Sequence, residues 1–159
     1  MSSTTRYIAD LHLSHLNMAV KRGFSSIEEH DELIIERWNH TVSKRDVTYI
    51  LGDVTMEKKS PYHMLSRLNG VKHVVLGNHD RHQDVQELLK HVHSVSGIIL
   101  HKGLWLTHCP VHPFELERVR GNIHGHVHEK IIHHPKYYCV SCENVDYTPA
   151  TLKQLGIEI

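Results

Sequence analysis

Val71-Lys72-His73-Val74-Val75-Leu76-Gly77-Asn78-His79-Asp80 runs from a β-branched, apolar stretch straight into an amide, an imidazole and a carboxylate. Such a stretch favours extended backbone, and the glycine followed by polar side chains marks where the strand stops. Residues 7–11 and 47–51 (VTYIL) share that form and run into Asp10-Leu11-His12 and Gly52-Asp53. Between these two, Ser26-Ile27-Glu28-Glu29 offers a capping box, and Ile27, Leu33, Ile34, Trp38 and Val42 recur at helical spacing. The pattern predicts an amphipathic helix through Thr41. Residues 61–68 (PYHMLSRL) and 85–91 (VQELLKH) read as two further helices, the first opened by a proline tolerated in a first turn.

Strand and helix alternation of this kind predicts an α/β fold in which polar groups gather at the carboxyl ends of parallel strands. The second half reads differently. Residues 96–100, 104–107, 122–128 and 137–143 are short extended segments with little helix between them, as a second sheet requires. The expectation is a four-layer α-β-β-α sandwich of two mixed sheets with the site at the strand carboxyl ends. Residues 145–155 read as a last strand or turn and short helix, and with no repeat or linker the chain reads as one domain over residues 1–159.

A length of 159 residues suffices for a hydrophobic core without disulfides. Lys plus Arg equal Asp plus Glu at 18 each, so no net field draws the chain to nucleic acid or an anionic membrane. Histidine matches each of those sums at 18, and imidazole is the commonest metal ligand at neutral pH. Cys109, Cys139 and Cys142 are an odd number, which suits a reducing compartment. The single C-x-x-C lacks the second pair that a four-thiolate zinc site needs, so ordinary thiols are expected. No apolar run has the length of a signal peptide core or a membrane span, and a cytoplasmic protein is expected.

Five blocks carry the chemistry: Asp10-Leu11-His12, Gly52-Asp53, Gly77-Asn78-His79-Asp80, Thr107-His108 and Gly125-His126-Val127-His128. Residues two apart at a strand end face one side, so Asp10 with His12, and His126 with His128, are expected to point paired donors into one cleft. The preceding glycines allow tight turns and close approach. Carboxylate, imidazole and amide together suit borderline divalent ions better than a thiolate cage does. Each block alone is a weak signal, since a lone D-x-H is more often a surface pair than a site.

Taken in this order the blocks resemble the calcineurin-like metallophosphoesterase family, with its D-x-H, G-D, G-N-H-[DE], later single His and G-H-x-H. The resemblance spans Asp10 to His128 with no block degraded, and is closest in style to small, cap-less bacterial and phage members. It implies that one ion is held by Asp10, His12, Asp53 and His128, and the other by Asp53, Asn78, His108 and His126, with Asp53 bridging. It further implies that His79 lies over the substrate and assists the leaving oxygen, with Asp80 orienting its ring. The cofactors implied are two divalent ions, manganese first, with iron, nickel, cobalt, zinc or magnesium as alternatives; the ligand types do not choose among them.

Two such cations about 3.5 to 4 Å apart make hydroxide available at neutral pH and clamp phosphate oxygens during in-line displacement. Hydrolysis of a phosphodiester, and also of a phosphomonoester, by a metal-bridging hydroxide is therefore the expected activity, on a small substrate such as a nucleotide. The diester is favoured because its alkoxide leaving group needs the proton that an imidazole can give. A nuclease on long nucleic acid would want a basic groove that the charge balance does not offer. The rival is a catalytically silent scaffold of the same fold, since fold does not fix function. Oligomeric state leaves no signature. His15 and Asn17 follow the first pair closely enough to line the cleft, and His112 is expected at its rim. His124 reads equally as a site residue or a buried core histidine, while Arg81, Arg118 and Arg120 read mainly as surface charges, with phosphate binding as the lesser alternative.

Overall fold

The computed structural model describes residues 2–55 and 61–159. In chain order the regular elements are β1 (Thr5–Ile8), α1 (Leu16–Lys21), α2 (Ile27–Thr41), β2 (Val47–Leu51), β3 (Val71–Val75), α3 (Val85–Leu88), β4 (Ser94–Ser96), β5 (Ile99–His101), β6 (Leu104–Leu106), β7 (Gly121–His124) and β8 (Tyr137–Cys139). Among the described residues the strands form two four-stranded sheets, β1-β2-β3-β4 and β5-β6-β7-β8. The fold is α/β, as expected. The second sheet is mixed, with β5 antiparallel to β6 and the rest parallel. The first sheet is parallel throughout, because α2 and shorter helical turns carry the chain back between its strands. Its antiparallel contribution is an isolated bridge, Tyr7 to Ala150.

Alternation along the first sheet divides its side chains between two apolar clusters. Ile8, Ile50 and Val74 join Ile34, Ile35, Trp38 and Val42 around α2. Tyr7, Leu51 and Val75 join Leu104, Leu106 and Ile123 of the second sheet. Parallel strands buried on both faces read as continuous apolar pairs, which is what Ile50-Leu51 and Val74-Val75 are. The α2 helix starts as predicted, Ser26 Oγ accepting from the Glu29 N–H at 3.1 Å. Glu29 reaches back one residue further than a capping box requires, accepting from the Ser25 N–H at 2.8 Å. Trp38 is fully buried and donates its indole N–H to the Asn69 carbonyl at 2.9 Å, tying α2 to the turn before β3.

Several predicted elements differ. Residues 61–68 form a 3-10 helix, Tyr62–Arg67, and not an α-helix. The reason lies in the spacing: the buried Tyr62, Leu65 and Leu68 recur every third residue, the period of that tighter helix. The stretch 96–100, expected in the second sheet, is shared: Ser94–Ser96 extends the first sheet, and Ile99–His101 opens the second. The short α1 is not anticipated by any periodicity in the sequence. No helix among the described residues is long and apolar enough to cross a membrane.

Candidate metal centre

Every predicted ligand block lies just past a strand end, but not as more strand. Asp10, His12, Asp53, His126 and His128 all have positive φ, from 47° to 71°. They are five of the nine such non-glycine residues described. The expected basis for pairing Asp10 with His12 and His126 with His128, alternation along extended backbone, is thus corrected: left-handed residues aim them. Such backbone costs about 1 to 3 kcal/mol per residue and persists only where the surroundings enforce it. Here the first two loops run side by side, with Asp10 N–H on the Gly52 carbonyl (3.0 Å), His12 N–H on that of Asp53 (3.0 Å) and Leu13 N–H on that of Val54 (2.9 Å). Leu11 and Leu13, between the polar residues, are buried in the α2 cluster and anchor the loop from beneath.

At two of the blocks glycine is required by the close approach of a carboxylate. A Cβ at Gly77 would collide with the Asp53 carboxylate, and one at Gly125 would lie 2.6 Å from Asp10 Oδ2. What comes close at these glycines is the neighbouring carboxylate itself.

The side chains converge. His12 Nε2 lies 3.7 Å from Asp53 Oδ2 and 3.9 Å from Asp10 Oδ1, and His128 Nε2 lies 3.9 Å from the same Asp10 oxygen. His108 Nε2 lies 3.2 Å from Asp53 Oδ2 and 2.9 Å from Asn78 Oδ1, which is itself 3.0 Å from His126 Nδ1. Atoms bound to one ion at about 2.0 to 2.2 Å stand roughly 3 to 4 Å from each other, so these separations suit shared coordination. Asp53 Oδ2 faces both His12 and His108, the place a bridging oxygen needs. Two sets of three, Asp10-His12-His128 and Asp10-Asp53-His108, are each compact enough for one ion. A third set, His108-Cys109-His126, brings in a thiol that the sequence did not single out as a ligand.

In four of the donor groups the other atom is tied down. Asp10 Oδ2 accepts from Ser141 Oγ at 2.5 Å and from the His126 N–H at 3.0 Å, and Asp53 Oδ1 accepts from the His79 N–H at 2.9 Å. His108 Nδ1 pairs with the Leu51 carbonyl at 2.8 Å, and His128 Nδ1 with Glu143 Oε1 at 3.0 Å. By contrast Asp10 Oδ1 and His12 Nε2 are buried with no hydrogen-bond partner among the described residues. An orphaned buried carboxylate oxygen facing an orphaned imidazole nitrogen is costly unless a third species lies between them. The donor set fits a divalent cation there.

Electrostatics agree with that fit. Burial pushes His12 down to about 3, keeping the neutral, ligating form. Burial also raises Asp10 above the usual carboxylate range, and its Ser141 bond offsets only part of that. For Asp53 burial is outweighed by the His108 contact, which holds it low. His108 is raised in turn, the Asp53 contact overcoming burial.

Asp80 is expected from the sequence to orient His79. Its buried carboxylate instead binds backbone amides, with Oδ2 accepting from the Asp53 (2.7 Å) and Gly77 (2.8 Å) N–H groups and Oδ1 from that of Val54 (3.0 Å). It locks two ligand loops together, and burial raises it to about 6. His79 is half-buried, its ring centroid 5.8 Å from that of His12. His15 approaches His12 from behind, Nδ1 to Nδ1 at 3.4 Å, so it adjoins the cluster through His12. Asn17 is exposed on α1. His112, expected at the rim, makes none of its contacts with the cluster: it is exposed, its Nδ1 accepts from the Phe114 N–H at 3.3 Å, and it packs edge-on to Phe114. His124 is a core histidine bonded to the Gly125 carbonyl at 2.9 Å. Arg81 bonds Gln83, and Arg120 bonds the Glu158 carbonyl. The cysteines are free thiols, Cys142 within the core. Sequence reasoning missed Ser141, Glu143 and Arg22, each of which contacts a ligand residue from a segment without a motif.

Comparison with known proteins places the chain among relatives. It is 30% identical over 157 residues to an uncharacterized protein, MJ1445, of Methanocaldococcus jannaschii, covering 91% of this chain and 85% of that one. The chain belongs to the family of that archaeal protein. Gene 66 proteins of the mycobacterium phages L5 and D29 are 29% and 28% identical, with 82% of this chain covered in each case and 80% and 81% of theirs. The crystal structure of AQ665, a protein of unknown function from Aquifex aeolicus, superposes with a TM-score of 0.77 over 98% of both chains at 23% identity, a likeness of fold. No family model matches the chain.

Proposed function

We propose that the chain is a binuclear metal-dependent phosphoesterase of the calcineurin-like type, acting on phosphodiesters and also on phosphomonoesters. The observation that carries this reading is the buried, unpartnered pair Asp10 Oδ1 and His12 Nε2, set beside the doubly faced Asp53 Oδ2. A first ion would be held by Asp10, His12, Asp53 and His128, and a second by Asp53, Asn78, His108 and His126. When bound, the pair of ions supplies an acidified water as nucleophile and neutralises phosphate oxygens.

The chain's own groups do the rest. Asp53 Oδ1 stays on the His79 N–H while Oδ2 turns to the donors, which fixes the position of residue 79 relative to the bridge. His79, half-buried beside His12, would hand a proton to the leaving oxygen. Asn78 and His126 are exposed while Asp10, His12, Asp53 and His108 are buried, so substrate enters from the Asn78 side. That open edge suits a small nucleotide or similar ester. The four-layer sandwich with the site at the strand carboxyl ends belongs to the same proposal; it is supported by the two apolar clusters on opposite faces of the first sheet. A cytoplasmic location also belongs to it, supported by three free thiols.

The test is hydrolysis of a chromogenic phosphodiester and the matching monoester by protein loaded in turn with manganese, nickel, cobalt, magnesium, iron and zinc. Diester turnover exceeding monoester turnover is expected, with manganese effective. No turnover of either with any of these ions would favour the silent scaffold.

A further inference from the structure

Glu143 lies beyond β8 in a 3-10 turn, Cys142–Asn144, a segment in which no motif is legible. One of its oxygens, Oε1, faces both His128 Nδ1 at 3.0 Å and Arg22 Nε at 2.7 Å. A neutral imidazole has one ring proton; placing it on Nδ1, where the carboxylate accepts it, leaves the Nε2 lone pair facing Asp10 Oδ1. Glu143 itself is held by a guanidinium that is 2% exposed.

Arg22 does more than pair with Glu143. Its Nη2 donates to the Asp10 carbonyl at 2.7 Å and its Nη1 to that of Leu11 at 3.3 Å. Nη1 also meets His30 Nε2 at 2.9 Å, and His30 Nδ1 meets Asp31 Oδ1 at 2.8 Å. Asp31 Oδ2 then accepts from the Ser14 N–H at 2.9 Å. One buried cation therefore spans the backbone of the first ligand loop and, through Glu143, the ring of the last ligand, 118 residues further along the chain from Asp10 to His128.

We infer that Glu143, clamped by Arg22, is a positioning residue that sets the tautomer of His128 and its place opposite Asp10, and so governs the first ion but not the second. The inference rests on the metal reading proposed above. Metal-bound histidines commonly give their second nitrogen to a carboxylate, and loss of that carboxylate costs about 10- to 100-fold in affinity. A merely structural ion pair would weaken the whole fold, and both ions with it.

Two readouts on the full chain test this. In metal-free protein, nitrogen-15 histidine spectra recorded where imidazole is neutral should show His128 protonated on Nδ1, and Glu143→Ala should shift the proton towards Nε2. In manganese titrations Glu143→Ala should weaken one of two binding events about 10- to 100-fold and leave the other unchanged. An unaltered His128 tautomer, equal weakening of both events, or no weakening would each overturn the inference. If the unaltered chain binds no manganese, the metal reading fails, while the tautomer still judges Glu143. Should Glu143→Ala not fold, Glu143→Gln keeps the shape without the charge and carries the same two readouts with a smaller loss expected.

Discussion

Asp46 and Asp10 are buried aspartates at opposite ends of the first sheet, and they have been treated by the fold in opposite ways. Asp46, just before β2, accepts at Oδ1 from the Thr4 N–H (2.9 Å) and at Oδ2 from the Ser43 N–H (2.8 Å), with Arg6 at 4.0 Å. Burial works to raise it, but those bonds prevail and hold it below the usual carboxylate range. Asp10, just after β1, has one oxygen satisfied and the other left alone, and burial raises it. The amino end of the sheet thus uses a carboxylate to hold the fold. The carboxyl end leaves one with an oxygen unsatisfied, a state that a proton or a cation relieves.

The largest expected contrast comes from replacing each by asparagine. Asp10→Asn should cut metal-dependent hydrolysis by more than about 100-fold, beyond the loss caused by an outer carboxylate. The same change should leave the metal-free chain as stable or more so, because it removes an uncompensated buried charge. Asp46→Asn should keep turnover and lose about 2 kcal/mol of stability, since an amide cannot accept on both sides. Urea unfolding beside the diester assay checks both; destabilisation by Asp10→Asn equal to that by Asp46→Asn would erase the contrast.

Next in size is the response to metal. An ion at 100 times its dissociation constant adds about 2.7 kcal/mol, so manganese should raise the melting temperature of the unaltered chain and of Asp46→Asn, and raise that of Asp10→Asn less, since only the second ion's ligands are intact there. The pH dependence sharpens the same point. Asp46 binds fewer protons folded than unfolded, so its contribution is full above the ordinary value of 3.8 and is lost as pH falls through its depressed folded pKa. Asp10 binds more protons folded, so metal-free stability should fall as pH rises from 3.8 through its raised folded pKa. Urea midpoints across that range should lose the first slope in Asp46→Asn and the second in Asp10→Asn. The smallest effect is expected away from both ends: Ser26→Ala removes the α2 cap and should cost about 1 kcal/mol with metal binding intact.

How much of this could be read beforehand follows the range of the interactions. The strands VTYIL and VKHVV and the α2 cap are local signals, and β2, β3 and the start of α2 lie where the sequence puts them. The seven converging side chains were legible because each sits in a short block whose residue types are rarely combined for packing alone. Their aim was not, because left-handed backbone at Asp10 or His126 is enforced by the neighbouring loop and leaves no periodicity behind. Asp80 misled for a related reason: adjacency to His79 suggested a partner, while the partners are backbone amides, that of Gly77 and two that lie 26 and 27 residues away. Arg22 and Glu143 are ordinary charged residues in sequence, and only folding brings them together.

Calorimetric titration of manganese into the unaltered chain and into Asp53→Asn, with diester hydrolysis followed on the same samples, tests the proposed metal-bridged site most directly. Two ions per chain and turnover are expected from the former, with both lost or sharply reduced in the latter. Equal stoichiometry, affinity and turnover in the two proteins would contradict a centre built around Asp53.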